Sequence, residues 1–218
     1  MSSSLLIAER LYKSYGAIKA VDGISIRVER GQSLCIQGRS GCGKTTLLKI
    51  LSLILKPDNG NVMIEGVDTS KSSEREIAGL KRRLGFSFQE PLLLPYLNAL
   101  QNLFLVVSPV RGRGSKGLQQ EAAELLSKLG LSKRLEHLPR KLSVGEKKRV
   151  DLARAVLKSP SLIIADEPFS NLDPDTSKMV AKVLEHYRES QGALLYSCTE
   201  PSHSRFADEC VRIDDLRN

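Results

Sequence analysis

No apolar run in this 218-residue chain approaches the ~20 residues a helix needs to cross a bilayer, so no membrane-spanning helix is expected. The opening residues, Met1-Ser2-Ser3-Ser4-Leu5, have neither a basic stretch nor a long apolar one, and no signal peptide is expected. The four cysteines, at positions 35, 42, 198 and 210, lack metal-type spacing. A reduced, cytosolic protein with buried or incidental thiols is the expectation. There is no internal repeat and no low-complexity tract. The basic, glycine-rich stretch 110–118 carries Arg111, Arg113 and Lys116 but no interleaved aromatics for base stacking. It reads as a solvated surface loop ahead of the alternative, a contact of these cations with a nucleic-acid backbone or lipid phosphate.

What is present is ordinary in bulk. Hydrophobic content of 41% and charged content of 27% suit a water-exposed globular domain, large enough for one core with a subdomain. The net charge of +8 fits nucleic acid, anionic lipid, or a nucleotide site with a solvated basic surface, and does not choose among them.

The informative stretch is Gly38-Arg39-Ser40-Gly41-Cys42-Gly43-Lys44-Thr45, which reads G-x-x-x-x-G-K-[ST]. A short apolar run (33–37) precedes it and a helix-length apolar run (44–55) follows it, the strand–loop–helix context a phosphate-binding loop needs. The glycines let successive backbone N–H groups point inward at phosphate oxygens. The helix N-terminus adds roughly half a positive charge. Lys44 is placed to reach the β- and γ-phosphates and the Thr45 hydroxyl to hold Mg²⁺. A plain glycine turn beside a helix would not need all eight residues and both flanks.

Around the loop, residues 5–11 read as a strand, 13–16 as a turn and 24–28 as a half-exposed antiparallel strand. Residues 57–60 read as a turn, 61–65 as a short strand, 73–83 as a helix and 84–88 as a buried strand delivering Gln89. From 90 to 155 the pattern is helical, with an amphipathic helix over 119–130. Buried strands return at 162–165 and 192–196, with a helix over 174–191 between them and a last strand at 210–213. Alternating strands and helices imply a parallel sheet covered on both faces. The fold class expected is α/β: a P-loop core with a mainly parallel sheet, an N-terminal antiparallel β subdomain and an inserted α-helical subdomain. The division expected is 1–89 with 156–218 for the core and 90–155 for the helical insertion, one domain in all.

A second constellation lies downstream. Leu162-Ile163-Ile164-Ala165-Asp166-Glu167 is a buried strand ending in two carboxylates, at the sheet edge where ligands of such sheets bind. Asp166 would hold Mg²⁺ through water, and Glu167 would orient or deprotonate the attacking water. Before it, Leu142-Ser143-Val144-Gly145-Glu146 opens a helix, with Ser143 and Glu146 also at capping-box spacing. After it, Asn171-Leu172-Asp173-Pro174 is also a natural N-cap followed by proline at N1.

In that order and spacing, the whole chain resembles the nucleotide-binding domain of an ABC transporter. The resemblance makes 38–45 the Walker A motif, 162–167 the Walker B motif, 142–146 the signature and 170–173 the D-loop. It makes Gln89 the Q-loop glutamine, on the metal side of the site, and Tyr15 the aromatic that stacks on adenine. Gly38, Arg39, Ser40, Gly41, Cys42, Gly43, Lys44, Thr45 and Thr46 then bind the nucleotide. Ser143, Gly145 and Glu146 serve a partner's nucleotide. ATP and Mg²⁺ are the implied cofactors. The implied partners are a second ABC ATPase subunit, docked head to tail, and integral membrane permease subunits, with no nucleic acid. The location implied is the cytoplasmic face of the cell membrane. Residues 88–102 and Glu146 are similar to the lipoprotein-release and macrolide-exporter branch.

Two positions depart from the family pattern. Val144 stands where the signature has glycine. Ser197-Cys198-Thr199-Glu200-Pro201 puts Thr199 where the family has a histidine that holds the γ-phosphate and attacking water. Slow hydrolysis with intact ATP binding is therefore expected, with Glu167, Lys44 and Thr199 as the catalytic set. The competing reading is a soluble ABC ATPase acting on nucleic acid or ribosomes, slightly favoured by the charge; a P-loop kinase would leave the signature and D-loop without a reason.

Overall fold

The computed structural model describes residues 4–111 and 117–216, with 106–111 through the backbone alone. In chain order the strands are β1 (Ser4–Tyr15), β2 (Ile18–Glu29), β3 (Ser33–Gln37), β4 (Asn59–Ile64), β5 (Val67–Asp68), β6 (Leu84–Ser87), β7 (Leu162–Ala165), β8 (Ala193–Cys198) and β9 (Glu209–Arg212). The helices are α1 (Lys44–Leu51), α2 (Glu74–Arg83), α3 (Ala99–Arg111), α4 (Leu118–Lys128), α5 (Val144–Leu157), α6 (Pro174–Glu189) and α7 (Pro201–Ser204).

The first sheet runs in the order β2-β1-β4-β5, with antiparallel pairing throughout. Ile24, Ile26 and Val28 turn inward while Arg27 faces solvent, as the alternation in β2 requires. Two turns differ from expectation. Residues 13–15 belong to β1, whose register with β2 continues to Tyr15 opposite Ile18, leaving Gly16-Ala17 as a two-residue hairpin turn. Asn59 and Gly60 belong to β4. Gly60 has φ +92°, and a Cβ there would lie 2.2 Å from the Arg10 carbonyl oxygen, so the turn-like glycine serves a close strand approach instead.

The second sheet, β6-β7-β8-β3-β9, is wholly parallel, as the buried runs imply. Its carboxyl ends therefore share one edge, which receives the loop after β3, Asp166 and Glu167 after β7, Thr199 after β8, and Gln89 beyond β6. One apolar core joins the antiparallel sheet and α1 to one face of this sheet. A second joins α3, α4, α5 and α6 to the other face, with Val180, Val183, Leu184 and Tyr187 of α6 inward as predicted.

Helix boundaries depart from the pattern at α1, which ends at Leu51 rather than 55. Leu53 takes a left-handed φ of 61°, its N–H donates to the Ile50 carbonyl at 2.9 Å, and the Ile54 N–H donates to the Lys49 carbonyl at 3.0 Å. This is a Schellman ending built on leucine rather than glycine, so no local punctuation announces it. The last strand spans Glu209–Arg212, one residue earlier than expected. Residues 110 and 111 of the expected basic loop continue α3, whereas 112–116 lie outside the described residues.

Asn102 anchors the segment after β6. Its side-chain amide donates to the carbonyls of Leu94, Leu97 and Asn98, and its Oδ1 accepts from the Leu94 N–H at 2.8 Å. Among the described residues, no helix is long and apolar enough to cross a membrane.

Candidate functional site: a phosphate loop facing two carboxylates

The loop between β3 and α1 is shaped by backbone contacts that exclude side chains. Gly43 has φ +102°, and a Cβ there would fall 1.9 Å from the Ala20 carbonyl oxygen. The Gly38 N–H donates to the Cys198 carbonyl at 3.2 Å, which ties the loop to the end of β8. No side chain caps α1, so its first N–H groups remain for an anion.

Lys44 is 5% exposed, and its ammonium lies under the loop. It donates to the carbonyls of Gly38 at 2.7 Å and Arg39 at 3.0 Å, and it lies 3.5 Å from Thr199 Oγ1. Its Nζ is 3.7 Å from Glu167 Oε1. Thr45 Oγ1 donates to Asp166 Oδ2 at 2.7 Å. Ser197 Oγ donates to the other oxygen of Asp166 at 2.5 Å and accepts from the Glu167 N–H at 3.0 Å. Glu167 sits at φ +50°, a left-handed position unusual for a non-glycine residue, where the chain leaves β7.

Thr199 Oγ1 donates to Glu167 Oε1. Thr199, just beyond β8, is thus bonded to the carboxylate across the pocket. His203 is directed elsewhere: its ring lies 5.8 Å from that of Phe169, and its Nε2 is 3.8 Å from Glu200. The residues fit an Mg²⁺-triphosphate by their donor chemistry. One hydroxyl and one carboxylate, both hard oxygens 2.7 Å apart, meet beside a buried ammonium at a helix N-terminus. Among the described residues, no group of three or more His, Cys, Asp or Glu side chains forms a metal cage. Magnesium with few protein ligands takes its remaining oxygens from phosphate and water.

The signature residues are not brought to this pocket within one chain. Ser143 caps α5, accepting from the Glu146 N–H at 3.2 Å, and its own N–H donates to Glu146 Oε2 at 2.8 Å. Glu146 also pairs with Arg134 at 2.7 Å. Burial opposes ionisation of Glu146, but the Arg134 guanidinium and the Ser143 N–H outweigh it and hold the carboxyl below the usual glutamate range. Ser143 and Val144 face outward, Val144 being 61% exposed. Gly145 lies against Leu172 of the 170–173 segment. Asp173 caps α6 by accepting from the N–H groups of Asp175 and Thr176. The local caps expected at both places are present, Ser143 opening α5 and Asp173 opening α6. Tyr15 stands at the tip of the β1–β2 hairpin, 52% exposed, and Gln89 is exposed two residues beyond β6. Arg39 and Ser40 are exposed, and Cys42 and Thr46 half-buried, within the loop and the start of α1. None of the four cysteines is in a disulfide; the Sγ atoms of Cys35 and Cys198 lie 3.1 Å apart.

Three residues of α5 that motif reading missed also reach the segments flanking the site. From α5, the buried Lys148 donates to Ser170 Oγ at 2.5 Å. Asp151, fully buried, accepts from the Phe88 N–H at 3.1 Å and pairs with Arg154 at 2.5 Å. Burial pushes the Asp151 carboxyl above its usual range despite that guanidinium. Arg154 also donates to the Leu92 carbonyl at 2.7 Å. One helix thus holds both the start of the Gln89 segment and the turn after Glu167. The available signal was a lysine and an aspartate three residues apart on the otherwise apolar inward stripe of α5.

The family model described as ABC transporter matches residues 21–170. Similar relatives include lipoprotein-releasing system ATP-binding proteins of the LolD type. That of Rhodopirellula baltica is 40% identical, covering 89% of this chain and 87% of its own. LolD 2 of Chlorobaculum tepidum is 36% identical, covering 98% and 91%. Among solved structures, the dimeric post-hydrolysis state of the ATP-binding cassette MJ0796 bound to ADP and Pi superposes with a TM-score of 0.88 at 28% identity, covering 95% of this chain and 93% of that one. These relatives do not favour the alternative of a soluble ATPase acting on nucleic acid or ribosomes. With the phosphate loop and the two carboxylates on one edge of a parallel sheet, the chain belongs to the ABC transporter family as an ATP-binding subunit.

Proposed function

We propose that this subunit hydrolyses ATP slowly, in a head-to-tail pair, and drives integral membrane permease subunits from the cytoplasmic face of the membrane. The observation that carries the reading is the bond from Thr199 to Glu167, beside the Lys44 ammonium and the Thr45–Asp166 pair. Lys44 and the N-terminus of α1 bind the β- and γ-phosphates. Thr45 and Asp166, with Gln89, would hold Mg²⁺, which would supply charge neutralisation on the transferring phosphoryl group. Tyr15 stacks on the adenine. Glu167 takes the proton of the attacking water. Thr199 offers one uncharged hydrogen bond where a histidine would offer a longer reach, so transition-state charge is less well met.

The outward position of Ser143 at the start of α5 supports a composite pocket, each signature helix N-terminus meeting the γ-phosphate held by the partner's loop. ATP then favours the closed pair because it contacts both halves. Relatives named for lipoprotein release, and for combined macrolide-export ATP-binding and permease function, support a permease partner. The helical region over 90–155 is the part proposed to meet that permease, and 1–89 with 156–218 the nucleotide-binding core. A partner ATPase subunit with a complete histidine site would suit this chain.

The experiment compares wild type, Glu167→Gln and Thr199→His for ATP affinity, ATP-driven dimerisation and hydrolysis. Glu167→Gln is expected to bind ATP and dimerise without turnover. Thr199→His is expected to raise kcat about 10- to 100-fold at unchanged ATP affinity. A wild-type rate that Thr199→His leaves unchanged overturns the slow-site reading.

A further inference from the structure

Lys148 lies on the buried side of α5, 7% exposed, five residues beyond Ser143. Its ammonium reaches Ser170 Oγ at 2.5 Å, and Ser170 Oγ in turn donates to the Glu167 carbonyl at 2.9 Å. The Ser170 N–H donates to the same carbonyl at 3.1 Å. A small recess is lined by Lys148 together with Ser87, Phe88, Asp166, Glu167 and Pro168, which puts Lys148 beside both carboxylate-bearing residues of the site. Burial pulls the Lys148 ammonium below the usual lysine range, and the charges of Glu167 and Asp166 act to restore it. Burying an ammonium costs several kcal/mol unless opposite charge and hydrogen bonds compensate, and an apolar side chain would occupy the same space without that cost. The lysine has a structural partner, the turn over 167–170, and that turn carries a strained residue, Glu167 at φ +50°.

We propose that Lys148 is a positioning residue for ATP hydrolysis: through Ser170 it holds the backbone turn that presents Glu167, and it ties the signature helix to the chain's own general base. The inference rests on the assignment of Glu167 as that base. Its consequence is a link between two composite pockets. Ser143 at the start of α5 meets the nucleotide held by the partner subunit, and Lys148, on the same rigid helix, braces the carboxylate that acts on this chain's own nucleotide. A shift of α5 on closure therefore moves the brace, and a base displaced by even ~1 Å loses rate steeply.

The test uses Lys148→Met, Ser170→Ala and the double variant of the full chain, with Glu167→Gln in parallel. Without nucleotide, hydrogen exchange of the amides over 167–171 is expected to quicken in Lys148→Met and in Ser170→Ala relative to wild type. With MgATP, each single variant is expected to lose about 10- to 100-fold in kcat while KM stays within about twofold. The double variant is expected to lose no more than the worse single one, since both substitutions cut the same chain of bonds. Wild-type kcat in Lys148→Met, or losses that add fully in the double variant, overturns the proposal. If Lys148→Met does not fold, Lys148→Gln with Ser170→Ala makes the same comparison. An inactive Glu167→Gln beside a fully active Lys148→Met removes Lys148's role alone, whereas an active Glu167→Gln removes the base assignment on which it rests.

Discussion

Replacing Asp151 should be among the most damaging single changes outside the apolar cores. The carboxylate is fully buried, pairs with Arg154 at 2.5 Å and accepts the Phe88 N–H at 3.1 Å. Asp151→Ala removes all of this and strands a guanidinium that is only 14% exposed. Breaking a buried pair from one side costs about 3–5 kcal/mol, because the surviving charge has lost its partner. Arg154 keeps its bond to the Leu92 carbonyl, which limits the loss. For a chain of this size each kcal/mol shifts Tm by about 2–4 °C, so a fall of roughly 10 °C or more is expected in thermal unfolding followed by circular dichroism. Asp151→Asn should cost about half as much. Its amide oxygen still accepts the Phe88 N–H, and burial already disfavours the charged form of this aspartate. Replacing both partners together, with Asp151→Leu and Arg154→Met, should recover most of the loss, because no unpaired charge remains. A loss below about 1 kcal/mol for Asp151→Ala, or a double variant costing the sum of its singles, would refute the assignment of this pair as a buried anchor of the Gln89 segment.

Gly60→Ala should destabilise by about 2 kcal/mol or more, read from urea unfolding, since the new Cβ meets the Arg10 carbonyl oxygen at 2.2 Å in a left-handed backbone; a neutral result would mean that β1 and β4 are not so closely apposed. Ser143→Ala should cost about 1 kcal/mol through loss of the α5 cap and, separately, abolish ATP-driven dimerisation; a chain that still dimerises would count against the signature's role in trans. Asp58, Asp173 and Glu146 all have depressed carboxyl values. Asp58 owes this first to Lys13 and then to the Ser14 N–H, and Asp173 to the Thr176 hydroxyl and N–H; at Glu146, Arg134 and Ser143 overcome burial. A depressed folded value means that the stabilisation is complete above the unfolded values of 3.8 and 4.5 and is lost as pH falls through the folded ones. Tm should therefore hold between pH 7 and about 5 and drop below about 4. Glu146→Gln should flatten part of that acid limb, and an identical limb in the variant would remove Glu146 from the account.

Most of the fold was legible because its signals are local. The apolar runs at 33–37 and 162–165 are buried on both faces and read as parallel strands. The alternation of Ile24, Ile26 and Val28 reads as one face of an antiparallel strand. The misplaced boundaries share one cause, which is that the deciding partner is distant in sequence or the usual residue is absent. Asn59-Gly60 looks like a turn until Arg10 is brought beside it, and α1 stops on a left-handed Leu53 where no glycine announces an ending. At the site, the eight loop residues are recognisable from spacing and flanks, and the Asp166-Glu167 pair gains its functional reading from them. Their chemistry demands fixed residue types within a few positions.

By itself, then, the sequence determined the phosphate loop, the two carboxylates that follow a buried strand, and the caps that open α5 and α6. Each depends on residue type over a short stretch. Only tertiary structure decided that Thr45 meets Asp166 across 121 residues, that Thr199 is bonded to Glu167 across 32, and that Lys148 reaches Ser170 across 22. Those bonds follow from parallel strands ending on one edge and from the way α5 packs beneath it. No local pattern encodes a distance between two such ends; the packing of the sheet and helix sets it.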